Sequence, residues 1–418
     1  MIKVYKFGGA SVRDDVSFRQ VERIIRDASS SPLVIVLSAM GKTTNALELV
    51  ASAAHNEADY SETLQGLRTY HLNILNALFP RQNEVFAQFE QAIVSLHATL
   101  NTSRELPYAA FYDRVVSYGE KISTLILHQY LAHRGLPNTL LDAAQLVVTD
   151  GPFRKAVVDW EVTKRNILNC IEPAQLALWV VAGFIGSDKQ GHTVTLGREG
   201  SDFSAAIFAS ALDASELTIW KDVPGVLNVD PNELKAGVKF DKMPYNEAVE
   251  LSFYGAKVIH PNTIKPLENR NIPLFVRPFS DPAARGTLIS SDPELHPLAC
   301  SIIRKKDQIL LTLIPKDMSF ISEGHVHSIM GALCDLGLHI NLMQSSALHF
   351  SLCLDNGTGI VDGLGERLGP TFHIRYNEHL TLLTLRRFSE EDIQLHTRGQ
   401  EVVMEQRSRI MYQAVLKD

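Results

Sequence analysis

A strand-like run at the start of the chain ends in Lys6-Phe7-Gly8-Gly9-Ala10-Ser11-Val12. Glycine lets a backbone approach phosphate oxygens closely, and a helix starting there offers free N–H groups. Lys6 adds a full positive charge at the strand end, and phosphoryl transfer gains most from charge positioned in this way. A plain Gly-Gly turn explains the two glycines equally well. The stretch TVTLGREGSDFSAA (193–206) is the second candidate: a strand, then Gly197, Arg198, Glu199 and Gly200, then Ser201 and Asp202 opening a helix. The planar fork of Arg198 fits a carboxylate or a phosphate. Helix capping would account for Ser201 and Asp202 but not for an arginine between two glycines.

Three further segments carry suitable residues. Ser38-Ala39-Met40-Gly41-Lys42-Thr43-Thr44-Asn45 contains Gly-Lys-Thr, but a Walker A loop needs a glycine five residues before Gly41, and Val36 stands there. A hydroxyl-rich loop gripping a small carboxylate fits better, with helix capping by Thr44 or Asn45 as the plain alternative. Glu120, in Ser117-Tyr118-Gly119-Glu120, could hold a substrate ammonium group or could be a solvated glutamate favoured by the helix dipole. Ile219-Trp220-Lys221-Asp222-Val223-Pro224-Gly225-Val226 is again a strand running into a turn. Lys257, in Gly255-Ala256-Lys257-Val258-Ile259-His260-Pro261, precedes another helix and could meet phosphate.

These loops need elements to hold them. Strands are expected at 2–7, 33–37, 139–141, 178–182, 193–196, 217–220 and 272–276. Helical spacing fills 45 to about 101, broken at Pro80, and a helix is expected through RVVSYGEKISTLILHQYL. Strands alternating with helices imply an α/β fold with a mostly parallel sheet covered on both faces, whose ligands sit at the carboxyl ends of the strands. Turn formers in SDPAARGT and SSDPELHP mark a boundary near 280. Beyond it, a strand (309–314), a helix (324–336) and two strands (339–343, 348–354) form a βαββ unit similar to an ACT-type ligand-sensing module. A weaker copy follows, with strands near 380–385 and 409–416 and no helix of normal length between them.

Hydrophobic residues make up 45% of the 418 residues and charged residues 21%, as in a folded globular protein. The net charge is −7 and no basic run suggests nucleic acid. No apolar stretch reaches the ~18 residues of a membrane helix, and MIKVYKFGG reads as a strand, not a leader. The scattered Cys170, Cys300, Cys334 and Cys353 suit a reducing cytoplasm. His325-x-His327 has metal-ligand chemistry but sits at an expected helix start, where solvated histidines are common.

In this order, KFGGASV, SAMGKTTN, SYGE, GFIG (183–186), GREGSD, KDVPGV and KVIHP resemble the aspartate kinase family of the amino-acid-kinase superfold. The family pattern is KFGGTSV, SA…TN, SxGE, GFxG, GRGGSD, DVxG and KVxHP. The resemblance implies an amino-acid-kinase catalytic domain over 1–290 and an ACT-like regulatory or dimerisation region over 298–418. It implies an ATP-dependent phosphotransferase giving 4-phospho-L-aspartate, the first step of lysine, threonine and methionine biosynthesis. Lys6 and Asp202 would be catalytic, with Asp202 positioning the amine or the metal-bound phosphates. Gly8, Gly9 and Ser11 would line the phosphates. Thr44, Glu120, Phe184, Arg198 and Ser201 would hold L-aspartate. Lys221, Asp222, Lys257 and Val258 would contact ATP. Mg²⁺ is expected with ATP, and no protein ligand to it is assigned. A cytoplasmic homodimer or larger homo-oligomer is expected, with no nucleic-acid or membrane partner.

Several positions depart from the pattern. Ala10 replaces a hydroxyl residue, Glu199 a glycine, Leu227 a tyrosine and Asn232 an arginine. In lysine-controlled relatives the sensing strand reads roughly VDLIxTSE. Here it is INLMQSSA, with Asn341 and Ala347 in the two carboxylate places. A sibling kinase acting on another small acid, or a catalytically silent sensing subunit, would be built on the same fold.

Overall fold

A computed structural model describes residues 1–151, 153, 154, 156–231, 233, 237–256 and 259–417. The chain divides into two compact units. The first comprises 1–226, 239–249 and 258–297, and the second 227–238, 250–257 and 298–418.

The first unit begins with β1 (Lys3–Phe7), α1 (Asp15–Ala28) and β2 (Leu33–Leu37). Asp14 caps α1 by accepting the Ser17 N–H, and Phe18, Val21, Ile24 and Ile25 form its buried stripe. A helical layer follows: α2 (Thr43–His55), α3 (Ser61–Leu78), α4 (Val85–Thr102), α5 (Tyr108–Val116) and α6 (Tyr118–His133). The single helix expected through RVVSYGEK is in fact two, α5 and α6, meeting at Ser117. The Ser117 hydroxyl donates to the Arg114 carbonyl at 2.8 Å, a local bond that competes with helix continuation.

Then come β3 (Thr139–Leu141), α7 (Ala143–Leu146), α8 (Trp160–Cys170), β4 (Leu178–Ala182), a small ribbon of β5 (Ile185–Ser187) and β6 (Thr193–Thr195), α9 (Gly200–Ala211) and β7 (Glu216–Lys221). The unit closes with β8 (Lys242–Pro244), α10 (Tyr245–Phe253), which runs on into the second unit's residues, α11 (Pro261–Glu268), β9 (Leu274–Pro278) and β10 (Thr287–Ser290). The eight-stranded sheet has the order β3-β4-β2-β1-β7-β9-β10-β8 and is parallel except between β9 and β10. Every residue of β2 and of β4 is buried, as expected for central parallel strands with helices on both faces. Lys6 lies in register with Val36 and Ile219, and Leu37 with Ala182. The loops after β1, β2, β4 and β7 therefore emerge side by side at one edge.

The second unit is a six-stranded antiparallel sheet of order β12-β13-β11-β14-β16-β15. Its elements are β11 (Ser301–Pro315), α12 (Glu323–Asp335), β12 (Ile340–Ser345), β13 (Phe350–Asp355), α13 (Ile360–Leu368), β14 (Phe372–Arg386), α14 (Glu390–Thr397), β15 (Glu401–Arg407) and β16 (Met411–Lys417). Ile309, Leu311, Leu313, Leu352 and Leu354 pack against Ile329 and Leu333 of α12 and Leu364 and Leu368 of α13. His325 serves the α12 capping box with Ser322. The segment expected to hold a weaker copy contains β14, α14, β15 and β16. Its helix has eight residues and buries none of them.

Candidate active site

Lys6 and Asp202 come from the end of β1 and the first turn of α9. The Lys6 ammonium lies 2.5 Å from Asp202 Oδ1, and the Lys221 ammonium, at the end of β7, lies 3.6 Å from Asp202 Oδ2. Burial pulls the Asp202 carboxyl upward, but Lys6 and Lys221 outweigh it and hold it below the usual carboxylate range. Two ammonium groups therefore face one carboxylate at the strand edge. The Gly8 position is so close to Lys6 that an added Cβ would sit 3.4 Å from Nζ.

Close packing explains the second glycine of the pair. A Cβ on Gly9 would come within 2.8 Å of the Ala39 carbonyl and 2.9 Å of that of Gly41. The Gly41 N–H donates to the Gly9 carbonyl at 3.0 Å, so the turn after β1 and the turn after β2 are joined backbone to backbone. Ser11 is buried, and its hydroxyl faces the Trp220 carbonyl at 3.4 Å.

Glu120, in the first turn of α6, is buried. Its Oε1 accepts the Ala39 N–H at 3.1 Å, while Oε2 has no hydrogen-bond partner among the described residues. Burial pushes this carboxyl up to about 8, opposed in part by the Ala39 N–H and by the Lys6 charge. Gly119 allows the approach, since a Cβ there would meet that of Ala39 at 2.8 Å. A buried polar oxygen without a partner costs on the order of 1–3 kcal/mol, which leaves Oε2 open to a donor group of a bound ligand.

The turn after β4 and the start of α9 interlock. The Phe184 N–H donates to Ser204 Oγ at 2.8 Å, and that hydroxyl donates to the Gly200 carbonyl at 3.0 Å. A Cβ on Gly200 would strike the Phe184 ring, and one on Gly183 would strike Ser201, each at 2.7 Å. Phe184 and Glu199 both hold left-handed backbones, with φ of 66° and 53°. That conformation costs a non-glycine residue roughly 1 kcal/mol or more. Arg198, between Gly197 and Glu199, is exposed.

Residues 1–278 match the amino acid kinase family. The lysine-sensitive aspartokinase 3 of Escherichia coli is 33% identical over 394 residues, covering 92% of this chain and 86% of its own. This chain belongs to the amino acid kinase family, in its aspartokinase branch. The chloroplastic aspartokinase 1 of Arabidopsis thaliana is 30% identical, covering 84% of this chain and 63% of its own. The crystal structure of E. coli aspartokinase III in complex with aspartate and ADP superposes with a TM-score of 0.87 at 28% identity, covering 100% of this chain and 96% of that one.

Of the aspartokinase motif residues, the structure brings Lys6, Gly8, Gly9, Ser11, Glu120, Phe184, Ser201, Asp202 and Lys221 to this strand edge. Asp222 follows Lys221 and is exposed. Thr44 is half-buried in the first turn of α2, which has no side-chain cap, so neither Thr44 nor Asn45 is there to cap it. Lys257, Val258 and the departure at Asn232 lie outside the described residues. Sequence reasoning missed Asp113, which is fully buried in α5. Its carboxylate accepts the Arg154 N–H, the Thr195 N–H and the Thr195 hydroxyl, at 2.9, 2.9 and 2.7 Å. It thereby holds the end of β6, from which the Arg198 loop departs. A lone aspartate in an apolar helix carries no signal of this role.

Proposed function

We propose that this chain is an aspartate kinase, transferring the γ-phosphoryl group of ATP to the β-carboxylate of L-aspartate. The observation that carries the reading is the pairing of Lys6 with Asp202 at the end of β1, beside a buried Glu120 oxygen with no partner among the described residues. A carboxylate oxygen of aspartate attacks Pγ, the bond from Pγ to the β,γ-bridging oxygen breaks, and ADP leaves with the electron pair. The attacking group is already ionised at neutral pH, so no general base is required.

Each residue has a role in this scheme. Lys6 neutralises charge on the transferring group, and Asp202 aims it, keeping Lys6 and Lys221 at the strand edge. Gly8, Gly9 and Ser11 line the phosphates. Glu120 receives the α-ammonium of aspartate and Arg198 a carboxylate, with Thr44, Phe184 and Ser201 closing around the substrate. Lys221, Asp222, Lys257 and Val258 contact the nucleotide. Among the described residues no three carboxylate, histidine or cysteine groups converge as a metal cage. Mg²⁺ would enter with the phosphates of ATP, whose negative charge it neutralises.

The deciding assay uses hydroxylamine to trap the acyl phosphate. Hydroxamate formation that requires both ATP and L-aspartate supports the reading, and equal trapping with another small acid in place of aspartate overturns it. No described helix is long and apolar enough to cross a membrane. We read it as a homodimer paired through the antiparallel unit, whose edge strands β12 and β15 expose Met343 and Val402. Light scattering that gives a monomer at micromolar concentration would rule this out.

A further inference from the structure

Glu199 stands where the aspartokinase loop carries a glycine, and it keeps the backbone conformation that glycine favours, with φ of 53°. Its side chain makes no cap to α9. Instead Oε2 accepts the backbone N–H of His260 at 3.0 Å, 61 positions further along the chain. His260 is the N-cap of α11 and follows Lys257 by three positions and Val258 by two. The Glu199 carbonyl meanwhile accepts the N–H groups of Asp202 and Phe203, at 3.0 and 3.2 Å. One residue is therefore bonded through its main chain to the turn that bears Arg198, Ser201 and Asp202, and through its carboxylate to the entry of α11. A carboxylate accepting a backbone N–H at a helix start is a charge-assisted bond, and the helix dipole strengthens it.

We propose that Glu199 is a positioning residue that fastens the aspartate-holding loop to the entry of α11, so that aspartate and nucleotide bind cooperatively. The inference rests on the reading given above, in which the segment before His260 meets the nucleotide and residues 198–202 hold the acceptor. A nucleotide held before His260 and an acceptor held at 198–202 would both bear on segments joined by the Glu199 bond, so part of the ordering cost of the second ligand would already have been met. Without the carboxylate the two loops settle independently. Glycine at 199 would relieve the left-handed backbone, so loss of coupling need not bring loss of stability.

The test measures the affinity of L-aspartate by calorimetry, with and without a saturating non-hydrolysable ATP analogue and Mg²⁺. Wild type, Glu199→Gln and Glu199→Gly are compared, together with their melting temperatures. In wild type the analogue should tighten aspartate binding about fivefold or more, within the usual range of coupling between sites. Glu199→Gly should bring that factor close to one while its melting temperature holds or rises. Glu199→Gln, which keeps an acceptor oxygen, should retain most of the coupling. A wild type without coupling, a Glu199→Gly variant that keeps all of it, or a glutamine variant that loses as much as glycine would each overturn the proposal. Absence of aspartate or analogue binding in wild type is a different outcome, because it sinks the aspartate kinase reading itself.

Discussion

The Lys6 ammonium and the Asp202 carboxylate lie 2.5 Å apart, and both side chains are less than one-tenth exposed. A buried ion pair of this kind is weak evidence for stability, because desolvation offsets much of the attraction. Its value here is placement: the carboxylate fixes a cation at a strand end whose next residues are Phe7, Gly8 and Gly9. Lys6→Ala should therefore lower turnover ~10²-fold or more, the typical cost of removing a charge aimed at the transition state. The fold should persist, since Lys221 still faces Asp202. Steady-state rates at saturating ATP and aspartate, with circular dichroism as the control, check this. Near-normal turnover would remove Lys6 from the mechanism.

Arg198→Lys keeps the charge but loses the two-pronged geometry that suits a carboxylate. The Michaelis constant for aspartate should rise about tenfold or more while that for ATP changes little, equivalent to roughly 1.4 kcal/mol of acceptor binding. A rise confined to ATP would instead assign Arg198 to the nucleotide.

Glu120 makes acceptor binding depend on pH. Burial pushes its carboxyl up to about 8 in the free protein, so near neutrality it is mostly protonated. An ammonium group needs the carboxylate, so aspartate binding should release a proton there. Affinity should increase as pH rises, by at most about tenfold per unit, and level off above about 8. Calorimetry in two buffers of different ionisation enthalpy counts the proton, and a value of zero near pH 7 refutes the scheme. The stability sign follows from the same raised value. The contribution of Glu120 is fully present below its unfolded value of 4.5 and is lost as pH rises through about 8. Glu120→Gln should accordingly raise the melting temperature more near pH 8 than near pH 5.

Asn341 and Lys305 bear on feedback control. Asn341 Oδ1 accepts from the Lys305 ammonium at 2.9 Å, and its Nδ2 donates to Gln308 Oε1 at 2.7 Å and to Asp355 Oδ1 at 2.8 Å. The amide that replaces an aspartate in lysine-controlled relatives is thus already engaged with a cation of the chain itself. Ala347 supplies no carboxylate. Each lost charge-assisted partner is worth on the order of 1.5–3 kcal/mol. Half-inhibition by L-lysine should therefore lie above about 1 mM, if inhibition occurs at all. An activity titration showing half-inhibition well below that concentration contradicts this reading.

Much of the catalytic unit was legible because its signals are local. LVIVL and LWVVA, short β-branched apolar runs, are the buried strands they suggest, and Phe18, Val21, Ile24 and Ile25 repeat at helical spacing. The short helix Ile360–Leu368, carrying Gly363 and Gly365, and the charged edge strand Glu401–Arg407 escaped notice. Their residue types argue against the elements they form, and only their neighbours in the sheet unit stabilise them.

The sequence by itself determined which residue types stand in the loops and helix of the site: Lys6 before two glycines, Arg198 between Gly197 and Gly200, Glu120 within an expected helix. Those choices are written in order along the chain, and that order carries the family resemblance. Only the tertiary structure decided which of them meet. The parallel pairing of β1 with β7 and the placement of α9 set Lys6 and Lys221 around Asp202. Burial of α6 left one Glu120 oxygen without a partner among the described residues and raised its affinity for a proton. A left-handed turn aimed Glu199 at the His260 N–H instead of toward the anion site. Each of these depends on distance and desolvation between segments tens to hundreds of residues apart, which no local pattern encodes.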